Sequence, residues 1–183
     1  ALYHGQLDQR ERETALALFN NGSAPVLVAT DLAARGLDIR NVENIIHYHQ
    51  PLTPETNTHR NGRTARVDAS GDIFMLIGPE EDVKPFVEID QTYRISDPGD
   101  ISLRSGFSTI WFGDGRREKL SKGDILGFLT KTCGLTASEV GKIEVFDHYS
   151  LVAVASDKAR SVVQTASSTP VKGRKRRVSI LTL

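Results

Sequence analysis

The chain reads as α/β: a first half in which strands and helices alternate as in a partial parallel sheet, then a second half with the α+β order βαββαβ. Three observations predict this. Up to about residue 95, apolar runs of strand length alternate with stretches of helical period. From about residue 106 the same two periods recur in a different order. Between them, Arg94-Ile95-Ser96-Asp97-Pro98-Gly99-Asp100, running on to Ser105-Gly106, holds the residue types that interrupt periodic structure. The expected division is therefore a domain over 1–95, a linker over 96–105 and a domain over 106–183.

Charge divides at the same place. The whole chain has zero net charge, but residues 1–103 carry 9 Lys and Arg against 16 Asp and Glu, a balance of −7, and residues 104–183 carry 14 against 7, a balance of +7. Such asymmetry marks two domains, one of which meets a polyanion.

In the first domain, strands are expected near 1–4, 25–30, 44–48 and 72–77, and helices after Asp8, through 59–66 and over 80–92. Asp8 with Glu11 resembles a capping box ahead of Ala15, Leu16 and Phe19, which share a helical face. The run 26–29 reads as a buried parallel strand. Pro79-Glu80-Glu81-Asp82 places Pro and acids at the positive end of the last helix. In the second domain, 109–113 is a strand and 121–133 a helix with Ser121 and Asp124 at its start. Strands over 143–146 and 149–155 flank a tight Asp147-His148 turn. A helix over 157–166 follows, with Ala159, Val162, Val163 and Ala166 at i, i+3, i+4 and i+7, and 177–181 closes the order as a strand.

The most informative stretch is His59 to Arg66, HRNGRTAR. On a helix at about 100° per residue, His59, Arg63 and Arg66 share one stripe beside Gly62, which lacks a side chain. Guanidinium groups stay charged and match phosphate oxygens bidentately, so the natural ligand is a phosphoryl group. Upstream, the run 26–29 ends in Thr30-Asp31-Leu32-Ala33-Ala34-Arg35-Gly36-Leu37-Asp38, at a strand's carboxyl end, where open α/β sheets build their sites.

ATDLAARGLDI and HRNGRTAR resemble motifs V and VI of the DEAD-box RNA helicases, and His4-Gly5 with Gln9 and Arg12 resembles their motif IVa region. The resemblance covers about residues 1–95 and implies part of the second of two RecA-like lobes that close around ATP with Mg2+. By that resemblance Arg63 and Arg66 are arginine fingers on the γ-phosphate, and Asp38 holds the ribose hydroxyls with Arg35 bracing motif V. Thr30, Gly5, Gln9 and Arg12 lie along the RNA backbone, and His59 couples the lobe to its partner lobe. Asn61 departs from the family's usual apolar residue, which puts the local packing in doubt. No phosphate loop or Asp-Glu-Ala-Asp run occurs in the sequence, so the expectation is a C-terminal fragment whose ATP and Mg2+ are held mainly by the missing first lobe, and which is inactive alone.

The second half has the strand and helix order of the RNA recognition motif, an order shared by ferredoxin-like domains that bind no RNA. The aromatic pattern for base stacking on the third strand is missing: the sheet offers Tyr149 and Trp111. Cations instead gather at Arg116, Arg117, Lys119 and Lys122, and at Lys172, Arg174, Lys175 and Arg176. These are the expected RNA contacts. Lys119-Leu120-Ser121-Lys122-Gly123-Asp124-Ile125-Leu126-Gly127, followed by Gly141-Lys142-Ile143, resembles the DbpA-type helicases. That resemblance implies anchoring to large-subunit ribosomal RNA during ribosome assembly. The alternative is a non-catalytic RNA-binding protein, should the chain be complete.

Composition points to a cytoplasmic protein. Apolar stretches are strand-sized, with no membrane helix or secretory signal expected. Cys133 excludes an internal disulfide and reads as a thiol on an apolar helix face. His47 and His49 alternate on an expected strand without the Cys or carboxylate neighbours of a metal site.

Overall fold

The computed structural model describes residues 1–31, 42–64, 71–97, 99–101 and 103–181. They fold as two compact units. One comprises Ala1–Leu2, Gln9–Val28 and Leu103–Leu183; the other comprises Tyr3–Asp8 and Ala29–Ser102. No helix among the described residues is long and apolar enough to cross a membrane.

The first-named unit is organised on a four-stranded antiparallel sheet. Its strands are β5 (Phe107–Phe112), β6 (Val140–Val145), β7 (Ser150–Ala155) and β8 (Val178–Ile180), in the spatial order β6-β7-β5-β8. Helices α3 (Lys122–Gly127) and α4 (Ala159–Ser168) cross between strands, giving the expected βαββαβ order. Period-2 alternation sends Ile110 and Phe112 of β5 and Val152 and Val154 of β7 into a core with Ile125, Leu129, Val162 and Ala166, all under 2% exposed. Burying each of the larger side chains among these is worth about 1.5–3 kcal/mol, so this layer holds the unit together.

Ser121 caps α3 reciprocally: its Oγ accepts from the Asp124 amide at 3.3 Å, and Asp124 Oδ2 accepts from the Ser121 amide at 2.9 Å. The helix expected to run unbroken to Cys133 widens instead into a π-helical turn over Phe128–Thr132, closed by the Cys133 amide on the Phe128 carbonyl at 3.0 Å. Burial pushes the Cys133 thiol above its ordinary value, which keeps it a thiol.

Helix α1 (Gln9–Asn20), read from sequence as part of the first domain, belongs to this unit and packs through Ala15, Ala17 and Leu18. The reason lies on the other face of the sheet. Leu151 and Ala153 of β7 are 1% and 0% exposed, and Arg10 and Thr14 of α1 line a groove with Trp111, Tyr149 and Leu151. The Asn21 amide just beyond the helix donates to Thr109 Oγ1 at 2.9 Å, satisfying two buried polar groups together.

In the second unit, β3 (Asn44–His47) pairs in parallel with β4 (Asp72–Met75), in register Asn44 with Asp72 through His47 with Met75. Helix α2 (Pro54–Asn61) connects toward them. The strand expected at 25–30, where the chain passes from the first-named unit to the second, shrinks to β2 (Val28–Ala29), which pairs with β1 (Leu2–Tyr3). It is not buried as expected: Val26 and Val28 are 47% and 60% exposed. The helix expected over 80–92 is also absent, its residues forming turns and irregular backbone. Pro85 explains this, since it removes an amide donor inside the span and pushes Lys84 out of the helical region.

Candidate functional site

Motif VI begins on a well-capped helix and continues off it. Thr53 Oγ1 accepts from the Thr56 amide at 3.2 Å, Pro54 fills the first helical position, and the Gly62 amide closes the end on the Thr58 carbonyl at 2.9 Å. The helix thus ends before Arg63, and His59 and Arg63 do not share one helical stripe. His59 is exposed on α2, Arg63 lies in a turn whose amide bonds the Arg60 carbonyl at 3.2 Å, and Arg66 falls outside the described residues. Thr64 gives the physical reason, for its hydroxyl donates to the Val42 carbonyl at 2.5 Å and draws the chain off the helix axis. Gly71 packs against Thr64 so closely that a Cβ would collide with its hydroxyl oxygen.

The residue that sequence reading passed over is Arg60. Its Nε donates to Asp31 Oδ1 at 2.6 Å and its second terminal nitrogen to Asp31 Oδ2 at 3.0 Å, a bidentate fork, while Nη1 donates to the His49 carbonyl at 3.0 Å. Asp31 follows Thr30 in motif V, so this pair ties motif V to motif VI. The signal was present in both motifs, as an acid and a base on segments expected to share a site.

Asn61, the departure that put packing in doubt, has a specific partner. Its Oδ1 lies 2.9 Å from Nε2 of His47, which is 2% exposed, and its Nδ2 donates to Asn57 Oδ1 at 3.3 Å. Burial, aided by the Arg60 charge, holds the His47 imidazole below its ordinary value, so it is neutral at pH 7.

Arg35 and Asp38 lie outside the described residues. Thr30 is exposed beyond β2, its amide bonded to the Tyr3 carbonyl at 3.2 Å, and Gly5 is exposed in the turn after β1. On α1, Gln9 donates to Glu13 at 3.0 Å and Arg12 is half-buried. Among the described residues, no group of His, Cys, Asp and Glu is arranged to hold a metal ion.

The basic segments of the sheet unit meet at one place. Lys172 Nζ donates to the Lys119 carbonyl and to Asp124 Oδ2, each at 2.8 Å, joining the turn before β8 to the loop before α3. Bonds from Lys172 and Ser121 pull the Asp124 carboxyl down to about 2. The loop rests on the β6–β7 hairpin through the Arg116 and Arg117 amides, bonded to the Phe146 and Asp147 carbonyls at 2.8 and 3.0 Å. Gly115 is required for that approach, because a Cβ there would strike the Phe146 carbonyl oxygen.

Not all the expected RNA contacts are alike. Arg116, Arg117, Lys119, Lys122, Lys172, Arg174 and Lys175 are exposed. Arg116 pairs with Asp147 at 3.1 Å, but both side chains are more than half exposed, so the pair is worth at most about 1 kcal/mol. Arg176 is different. Its side chain is 2% exposed, with Nη1 on Asp114 Oδ2 at 2.5 Å and Nε on the Val171 carbonyl at 3.0 Å. A guanidinium so enclosed, with Nε and Nη1 committed within the unit, holds the fold and is the least accessible of the expected RNA contacts. On the sheet face both aromatics are engaged: Arg177 lies over Trp111 and Arg10 over Tyr149, each 5.8 Å from the ring centroid, and Phe146 stacks on Tyr149.

Two domains of known description account for these two constellations. Residues 1–68 match the helicase conserved C-terminal domain, and residues 109–180 match the DbpA RNA binding domain, so the class is a helicase lobe joined to an RNA-binding module. ATP-dependent RNA helicase DbpA of Escherichia coli is 37% identical over 97% of this chain and 40% of its own length; the Bacillus subtilis protein of that name is 31% identical over 96% and 43%. The chain belongs to the DbpA-type DEAD-box RNA helicases. It spans about two fifths of the length of these relatives. A solved structure, the C-terminal domain of the DEAD-box protein Dbp5, superposes on 44% of the chain and 48% of its own length at 31% identity, with a TM-score of 0.40.

Proposed function

We propose that this chain is the C-terminal part of an ATP-dependent RNA helicase that remodels structured RNA, with ribosomal RNA of the large subunit, met in the cytoplasm during ribosome assembly, as its target. The Arg60–Asp31 fork carries the reading, because it joins the motif assigned to the γ-phosphate to the motif assigned to the ribose in the helicase reading. Arg63 and Arg66 act on the γ-phosphate and stabilise the charge that develops there; Asp38 holds the ribose hydroxyls and Arg35 braces motif V. ATP with Mg2+ is held mainly by the first RecA-like lobe of the same protein. Bound Mg2+ neutralises phosphate charge, and His59 couples this lobe to that one. Gly5, Gln9, Arg12 and Thr30 serve the RNA backbone, which carries no sequence information.

The exposed cations of the sheet unit anchor the enzyme to its RNA. With about four to six phosphates neutralised, log K falls against log salt at a slope of roughly −3 to −4, taking the coefficient near −0.7 per contact on single strands. Exchanging Lys119, Lys122, Arg174 and Lys175 for Gln flattens that slope and weakens binding to every RNA, whereas Tyr149→Ala changes little. The reverse result would place the reader on the sheet face. The decisive experiment compares ATP turnover by the full-length protein with large-subunit ribosomal RNA fragments and with unrelated RNA of equal length, beside the 183-residue chain alone. Stimulation by the ribosomal fragments and none by the others is expected, with no turnover by the short chain. Turnover by the chain itself would overturn the two-lobe reading. Equal stimulation by all RNAs would overturn the ribosomal target, and RNA binding without turnover by the full-length protein would leave a non-catalytic binder.

A further inference from the structure

We propose that His47 is a positioning residue for ATP turnover: as a neutral imidazole it bridges Asn61 and Arg60 and keeps the Arg60 guanidinium aligned on Asp31, so that protonating the ring unseats motif VI from motif V. The inference rests on the helicase reading above, but its geometry stands by itself. His47 closes β3 and is 2% exposed. Both ring nitrogens face motif VI. Nε2 lies 2.9 Å from Asn61 Oδ1, and Nδ1 lies 3.4 Å from Arg60 Nη1.

Hydrogen-bond chemistry fixes the tautomer. An amide oxygen only accepts, so Nε2 carries the proton; a guanidinium only donates, so Nδ1 is the acceptor. The neighbouring side chains leave that one arrangement satisfied. Adding a proton to Nδ1 sets an N–H against an N–H and places a second cation beside Arg60. The groups acting electrostatically on the ring are Arg60 and Asp31, which oppose one another, and burial adds to the Arg60 side. The guanidinium cannot release its proton, so it gives way by turning. Turning costs the Asp31 fork at 2.6 and 3.0 Å and the bond to the His49 carbonyl at 3.0 Å. Arg63 sits one turn beyond, its amide on the Arg60 carbonyl at 3.2 Å, so the disturbance reaches the arginine assigned to the γ-phosphate. Asn61 takes part for the same reason. An apolar residue at that position could accept nothing from Nε2, and the buried ring would lose a partner.

Two measurements test this. The first is the pH profile of RNA-stimulated turnover by the full-length protein, for wild type, His47→Asn and His47→Phe. Wild-type kcat bends downward below the imidazole midpoint, which lies under the ordinary histidine value, by about tenfold per pH unit. Asn supplies one donor and one acceptor and does not titrate; the bend vanishes and part of the neutral-pH rate is kept. Phe supplies neither, and kcat falls about tenfold or more across the whole range with RNA affinity unchanged. An Asn variant with the same acid limb as wild type overturns the proposal, as does a Phe variant with wild-type kcat. The second measurement reads the ring directly in the 183-residue chain by nitrogen-detected NMR. A neutral Nε2–H tautomer at pH 7 is expected; an Nδ1–H tautomer or an imidazolium at that pH overturns the proposal. A full-length protein without turnover would sink the helicase reading, and the NMR result would still decide the bridge.

Discussion

On the proposed function, replacing Arg63 or Arg66 by Ala in the full-length protein should lower ATP turnover by about 10³ to 10⁵, the range that arginine fingers contribute in phosphoryl transfer. The effect is large because charge spreads over the γ-phosphate oxygens in the transition state and a planar guanidinium meets two of them at once. Lysine does not rescue, since a single ammonium on a flexible stem lacks the fork. RNA binding through the exposed cations of the other unit persists in both variants, which separates loss of catalysis from loss of substrate. Steady-state turnover at saturating RNA, with an independent RNA titration, is the measurement. Turnover within a few-fold of wild type would reduce these residues to a solvated charged face.

Asp114→Ala destabilises the sheet unit by about 3 kcal/mol, toward the lower end of what breaking a buried ion pair costs, because Asp114 itself is 23% exposed. The loss comes from the partner left behind: the Arg176 side chain is 2% exposed and would keep one carbonyl acceptor for its whole charge. Replacing both residues, Asp114→Leu with Arg176→Met, should recover most of that stability, since no unpaired charge then remains inside. Urea unfolding followed by the fluorescence of Trp111 reports it. A single variant as stable as wild type would show that water reaches the guanidinium. Folded Arg176→Met protein should bind RNA with an unaltered salt slope, in contrast to the surface Gln variants.

How far the sequence was legible depends on whether a property is local. The βαββαβ order was readable because Ile110, Phe112, Val152 and Val154 alternate, and Val162 and Ala166 recur at helical spacing; both periods are imposed by one element's own geometry. The Ser121–Asp124 cap lies within four residues and was equally plain. What depended on distant partners was hidden. Arg176 sits in a basic run indistinguishable by composition from Arg174 and Lys175, and only Asp114, far away in sequence, makes it internal. Arg60 and Asp31 stood in view as members of two motifs, yet no spacing rule pairs them. Asn61 was noticed as a misfit, and His47, the residue that accounts for it, was considered only as a metal ligand. Elsewhere the error was one of weighing signals: Pro79 with its acids was taken to start a helix that Pro85 forbids. Chain order places α1 in the first domain, as the family match over residues 1–68 does, whereas its contacts group it with the antiparallel sheet, and sequence says nothing about which apolar face a helix will cover.

Lys119 and Lys172 hold φ angles of 61° and 52°, in the left-handed region where a side chain is unwelcome and glycine is at ease. A sequence shaped for firmness alone would not put lysine in either place. Lys119→Gly should relieve about 1 kcal/mol of backbone strain, offset in part by the freer unfolded chain, and leave a protein at least as stable by thermal melting. It would also have one positive charge fewer on the surface proposed to meet RNA. The two lysines thus mark a spot where the molecule accepts a less comfortable backbone while Lys172 ties two loops together, and where, on the proposed RNA surface, gains in robustness and grip on a polyanion would pull in opposite directions.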